Sequence, residues 1–211
     1  GTQIVSYPTR KQIETTHMLA GTELVWLSDP MDAYIIHVNG SAKLRLDDGT
    51  IMYVGYAGKT NHPYSSLGQY LIKKGHISAD LMSLGAIRKF YQSQPETVME
   101  ATYTNDSYVF FQEYSANNWP AGSLGFRVTE KRTLATDKAI FPRGGILITD
   151  TRIPTYANRT QQYTRFMLDQ DTGGAIKAPG RADIYIGQGK SAELIAGRQY
   201  QEGQLYYLFL K

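Results

Sequence analysis

Residues 166–189 read FMLDQDTGGAIKAPGRADIYIGQG, and the parsing of this stretch decides the fold of the second half of the chain. An apolar run (Phe166, Met167, Leu168) enters Asp171-Thr172-Gly173-Gly174. A loop carrying Lys177, Pro179, Gly180 and Arg181 follows, and a second apolar run opens at Asp183-Ile184-Tyr185-Ile186-Gly187. Two carboxylates therefore stand on the shoulders of two short strands. The pair Gly173 and Gly174 lies between them and permits a close approach to the backbone. This layout suits acid–base chemistry on a bulky polar substrate. It is also what an ordinary turn looks like, since Asp beside Gly is common in loops. Asp169 reads as an outward-facing strand residue without a function.

Outward from this stretch, the second half is a series of short apolar runs punctuated by Gly, Pro and Asp: 133–136, 145–149, 163–168, 183–187 and 204–210. One helix is expected over 191–198. Many short strands in a small span suit a closed barrel. The first half has a different character. Thr9 and Gln12 stand in capping-box spacing before a helix running towards Leu19. Residues 23–27 read as a short strand. Asp29-Pro30 supplies an N-cap and a first-turn proline. Met31, Tyr34, Ile35 and Val38 then mark the buried face of a helix stopped by Gly40. Asp48-Gly49 between two apolar runs predicts a hairpin. Residues 55–68 read mostly as loop up to a helix beginning at Ser65 or Ser66 and ending at Gly75. Further helices are expected over 83–91 and 95–103, and a strand over 107–111. The boundary falls near 115–122, which gives domains of 1–115 and 116–211.

Composition narrows the function. The 211 residues, 42% hydrophobic and 19% charged, describe a globular protein rather than a disordered one. A net charge of +3, without a Lys/Arg block, favours an anionic polymer but gives no sign of nucleic acid. Without Cys there is no disulfide, thiolate site or Cys nucleophile. His17, His37, His62 and His76 are scattered without metal-ligand spacing. Gly189-Lys190-Ser191 resembles the end of a phosphate loop, but Ile184 stands where its first Gly is required, so no nucleotide is expected. There is no G-x-S-x-G elbow. No metal and no cofactor is expected.

Several segments together resemble the membrane-bound lytic murein transglycosylase A family, whose C-terminal region is a three-aspartate domain. They are DTGGAIK with the following RADIY, TDKAIFPRG around Asp137, VNGS at 38–41, GYAGKTNHPYSSLG at 55–68, and NDSYVFF at 105–111. The resemblance runs from about Arg10 to Lys211. It implies a mainly β, α+β protein: a double-psi β-barrel over 116–211 and a mixed α/β lobe over 1–115, with a substrate groove between them. It also implies a lytic transglycosylase that cleaves the β-1,4 bond between N-acetylmuramic acid and N-acetylglucosamine in peptidoglycan and leaves a 1,6-anhydro ring. A non-catalytic wall-binding module is the alternative.

By the same resemblance Asp183 is the general acid/base. Such an acid would need apolar surroundings or a neighbouring carboxylate to keep its proton. Asp171 and Asp137 either tune Asp183 or hold loops through backbone N–H groups. Lys177 and Arg181 either bind anionic parts of the substrate or solvate their loop. Expected sugar contacts are Asn39, Ser41, Tyr56, Gly58, Asn61, Tyr64, Ser66, Gly173, Gly174, Lys177 and Tyr185. Asn39 replaces a Gln frequent in the family, and Phe90 a Trp. Family members are mostly exported lipoproteins, so the expected location is the periplasm or cell envelope, with outer-membrane association. The sequence reads as a fragment, with any membrane tether on an N-terminal lipid anchor outside it. The expected partner is the peptidoglycan glycan strand.

Overall fold

The computed structural model describes residues 5–157 and 159–211. The chain divides into two compact units, Gly1–Ala116 and Asn117–Lys211. Among the described residues no helix is long and apolar enough to cross a membrane.

The first unit begins with α1 (Arg10–Thr16), entered through a complete capping box between Thr9 and Gln12 and closed by His17 in the left-handed region. Arg10 is nearly fully buried. Its guanidinium donates to the carbonyl oxygens of Asn105 (3.3 Å) and Ser107 (2.9 Å) and to the Glu14 carboxylate (2.9 Å). It also lies 5.2 Å from the ring centres of Tyr34 and Tyr108. A buried cation survives only with such a set of partners. In α2 (Pro30–Asn39), Asp29 caps the first turn and Gly40 ends the helix with φ 76°.

The hairpin forms between β1 (Ser41–Arg45) and β2 (Ile51–Lys59). Gly55–Lys59, expected to be loop, continue β2 and pair with β3 (Val109–Glu113), which follows the helices below. Glycines permit this extension. A Cβ on Gly55 would lie 2.7 Å from the Tyr114 ring, and the ladder bulges between Tyr56 and Gly58. The helices are α3 (Leu67–Lys73), α4 (Leu84–Ser93) and α5 (Pro95–Thr102). Helix α3 ends in a Schellman arrangement, with His76 N–H on the Leu71 carbonyl and Gly75 N–H on that of Ile72. Met31, Tyr34, Leu67, Leu71, Val98 and Ala101 form the core. The strand expected over 23–27 does not form: Leu24 and Trp26 are exposed, and among the described residues no ladder partner lies beside them.

The second unit holds β4 (Thr133–Ala135), β5 (Ile146–Pro154), β6 (Thr160–Asp171), β7 (Asp183–Ile184), α6 (Gly189–Ala196) and β8 (Gly203–Tyr207). They form one sheet in the order β7-β4-β6-β5-β8, with β4 and β6 parallel and the other pairs antiparallel. Leu134, Leu147, Ile153, Tyr163 and Met167 fill its inner face. The closed barrel expected from the sequence is not seen among the described residues. Closure would require the edge strands to pair, and β7 has only two residues in the ladder. The fold is a mixed α/β one with two sheets.

Candidate active site

Strand β4 organises the carboxylates. Ala135 pairs with Asp171 of β6 on one side and with Asp183 of β7 on the other. The two Asp backbones therefore stand two strand spacings apart, about 9–10 Å. Asp137 follows two residues beyond Ala135. The three acidic residues thus gather at one end of the sheet, although they are 46 positions apart in the chain from Asp137 to Asp183.

Each is held differently. Asp137 is buried and accepts backbone N–H groups of Ala139 (3.1 Å) and Ala178 (3.0 Å). These hydrogen bonds hold its carboxyl below the usual carboxylate range, helped by Lys177, whose Nζ is 3.7 Å away. The bond to Ala178 fixes a residue with φ 75°, a conformation costly for a side chain with a Cβ. Asp137 is thus a staple for the loop between β6 and β7. Asp171 accepts the Ser123 N–H at 2.9 Å. Burial pushes its carboxyl up, against hydrogen bonds from Thr172 and Ser123 and the charge of Lys138. Gly122 makes this packing possible: a Cβ there would lie 2.7 Å from the Gln170 carbonyl oxygen and 3.4 Å from the Asp171 Cβ.

Of the two surroundings expected for Asp183, apolar neighbours or a second carboxylate, neither forms its direct contacts, which are with Arg181. The Asp183 side chain is about half exposed, at 47%, and Arg181 grips both oxygens, Nε to Oδ1 and Nη2 to Oδ2 at 3.0 Å each. A third nitrogen of Arg181, Nη1, donates to the Ala175 carbonyl at 2.9 Å. The fork is made within one short segment at the entry to β7, between residues two apart in the chain. Tyr185 continues the chain beside β4, donating its N–H to the Thr133 carbonyl and accepting from Lys131. Gly173 lies against the buried Ile176 side chain, which closes the turn, and Gly174 is exposed.

Asp169 is the main correction to the sequence reading. It is fully buried rather than outward-facing. It accepts from Thr136 Oγ1 (2.7 Å) and the Tyr207 hydroxyl (2.7 Å) and is ion-paired with the buried Lys138. Burial, and then this carboxylate, push the Tyr207 phenol up. The misreading has a physical source. Phe166 and Leu168, two of the apolar residues of β6, face outward and are exposed, so hydrophobicity near Asp169 points to the wrong face for the core. Lys138 beside Asp137 was the only available hint of a partner.

In the first unit, Tyr56 is half exposed on β2, and the Tyr114 hydroxyl donates to its carbonyl at 3.3 Å. Ser41 opens β1 opposite Gly55, and Asn39 ends α2 in an exposed position. Asn61 is exposed, Tyr64 is half-buried, and Gly58 lies just past the bulge. The Ser66 hydroxyl oxygen caps α3 by accepting the Gln69 N–H at 3.3 Å. Asn105, which sequence reasoning gave no role, accepts the Ser65 N–H at 3.1 Å and fixes the end of this loop. No group of three or more His, Asp or Glu side chains is placed to hold a metal ion among the described residues.

Comparison with known proteins gives consistent matches. Residues 1–112 match the family described as MltA specific insert domain, and residues 132–209 match the 3D domain. Membrane-bound lytic murein transglycosylase A of Vibrio cholerae is 34% identical over 197 residues, 90% of this chain and 52% of that protein. Its Escherichia coli K12 counterpart is 32% identical over 95% of this chain and 56% of that protein. The chain thus spans about half the length of these curated relatives. A crystal structure of a membrane-bound lytic murein transglycosylase from Agrobacterium tumefaciens aligns with a TM-score of 0.86 at 30% identity, covering 97% of this chain and 57% of the other. A structure of E. coli MltA with bound chitohexaose aligns with a TM-score of 0.84 at 29% identity, covering 95% and 61%.

Proposed function

The chain belongs to the membrane-bound lytic murein transglycosylase A family, and from that premise we propose that it cleaves peptidoglycan glycan strands with Asp183 as the single acid and base. The observation that carries the assignment is the pairing of Ala135 with both Asp171 and Asp183, which gathers the carboxylates of the family's signature at one end of a sheet. The Asp183 carboxyl gives its proton to the oxygen linking N-acetylmuramic acid to the next sugar, and the C1–O bond breaks. The resulting carboxylate then takes the proton from the muramyl C6 hydroxyl as O6 bonds to C1. A 1,6-anhydro ring results, no water is consumed, and Asp183 is returned protonated. The C6 hydroxyl is tethered to the reacting sugar, which favours it entropically over water.

In this reading Asp137 positions the loop and Asp171 shapes the electrostatics next to the acid. Tyr56, Asn61, Tyr64, Asn39, Ser41 and Tyr185 present groups suited to sugar rings and hydroxyls, while Gly58, Gly173 and Gly174 allow a strand to approach the backbone. A double-psi β-barrel for the second unit is supported by its parallel β4–β6 pair within an otherwise antiparallel sheet. The relatives' membrane-bound description supports a cell-envelope location.

Digestion of purified sacculi tests the mechanism. Asp183→Asn should lose about 10²–10⁴-fold or more of the activity with folding intact. The products of the unchanged chain should be one water lighter than hydrolytic ones. Full-mass reducing products would mean a hydrolase with a second working carboxylate, and binding without turnover would mean a wall-binding module.

A further inference from the structure

Arg181 is committed to the atoms that the proposed reaction needs. Both Asp183 oxygens accept from its guanidinium, while a carboxyl about to give up a proton must have one oxygen bearing hydrogen and pointing at its acceptor. Half of the fork has to open first. The pair is half exposed on both sides, 48% for Arg181 and 47% for Asp183, and ion pairs of that kind are held weakly and exchange readily. A guanidinium fork matches any carboxylate equally well. The third contact, Nη1 on the Ala175 carbonyl, anchors Arg181 to the DTGG turn, so that it need only rotate away from Asp183 and not leave the site. The loop that continues from that turn is itself braced: Asp137 holds Ala178 in its left-handed conformation.

We propose that Arg181 is a specificity-determining lock: it closes both oxygens of Asp183 until an acidic group of the glycan strand takes the guanidinium in exchange. The peptide borne on the muramyl lactyl group supplies such a group through its free carboxylates, and a muramyl sugar without its peptide supplies it through the lactyl carboxylate itself. A chitin chain of neutral N-acetylglucosamine has none. Substrate choice is then made at the acid itself, in addition to any contacts along the strand. The inference rests on Asp183 being the working carboxyl, and its test separates the two claims.

Arg181→Gln and Arg181→Lys are compared with the unchanged chain on acidic murein strands and on neutral chitin oligomers, with Asp183→Asn alongside. Arg181→Gln should lose roughly tenfold in kcat/KM on murein, the size of one charge-assisted hydrogen bond. The same variant should gain turnover on chitin, because its acid is no longer closed. Arg181→Lys keeps the charge without the fork and should fall between. A residue that merely held the loop in shape would lower both activities together, and that outcome, or no change in either, overturns the lock while leaving Asp183 in place. Retained activity in Asp183→Asn overturns the reading beneath it. A second readout is independent of turnover: the Arg181 Nε–H resonance should move on addition of N-acetylmuramic acid and stay fixed with N-acetylglucosamine. Equal responses to the two sugars, or none to either, also overturn the lock.

Discussion

Replacing Asp169 with Asn should cost about 3 kcal/mol of stability, and the structure gives the reason for that size. Asp169 is fully buried and the Lys138 side chain only 7% exposed. The amide oxygen can still accept from Thr136 and Tyr207, so their hydrogen bonds survive. What is lost is the carboxylate paired with Lys138, whose ammonium keeps the Thr136 hydroxyl at 3.0 Å as a hydrogen-bond partner. Breaking one side of a buried pair costs about 3–5 kcal/mol, and the retained hydrogen bonds put this case at the lower end. With a urea dependence of about 1.5 kcal/mol per molar, the midpoint should fall by about 2 M. Tryptophan fluorescence reads the right unit. Trp119 is buried in the second unit, whereas Trp26 in the first is 81% exposed and changes little on unfolding. Asp169→Asn combined with Lys138→Met should recover most of the loss, because the stranded charge is gone. A midpoint shift below about 0.5 M for the single variant would refute the buried pair. A double variant no better than the single would refute charge isolation as its cause.

Other perturbations read other parts of the molecule. Burial, then Arg10, lowers the His37 pKa to about 3, below its ordinary 6.5, so its contribution is complete above pH 6.5 and is lost as the pH falls towards 3. Urea midpoints at neutral pH and in mild acid should show this loss in the unchanged chain and a flatter profile in His37→Gln. The Asp137 carboxyl is held low by the Ala139 and Ala178 N–H groups, so its contribution is present above the ordinary carboxylate value of 3.8 and disappears as pH falls below it. Asp171 has the opposite sign: burial raises its carboxyl, so stability is lost as pH rises through the folded-state value. The stability of Asp171→Asn relative to the unchanged chain should therefore grow between pH 3.8 and neutral, measured by the same midpoints. Gly122→Ala should lower sacculus digestion with only a modest stability change. Its Cβ would press on the Gln170 backbone oxygen and on Val128 Cγ1 at 3.0 Å, displacing the strand end that carries Asp171.

What the sequence made legible was mostly local. The Thr9–Gln12 box, the Asp29 and Ser66 caps, the Gly40 stop and the hairpin around Asp48-Gly49 each depend on a few adjacent residues. Positions set by distant partners were not legible. Residues 23–27 have the composition of a strand and no edge to pair with, while 55–59 have that of a loop and are drawn into a ladder by β3. The acidic residues could be named from their motifs. Their alignment on Ala135 could not be foreseen, because the parallel register of β4 with β6 joins Thr133 to Leu168 across 35 positions. The Arg181 fork spans only two residues, but it is a matter of side-chain rotamers, on which motif spacing is silent.

The insertion of β4 between β6 and β7 also bears on the order of folding. The hairpin β5–β6 pairs strands consecutive in the chain, whereas β4 must wait for β6 to be made and laid beside it in parallel, and then for β7. Parallel, non-local pairings close late because the entropy of long loops is spent before any contact rewards it. The carboxylate row exists only once the last of these contacts has formed. A partly folded chain therefore carries every residue of the signature but not the row, which only the assembled sheet brings together.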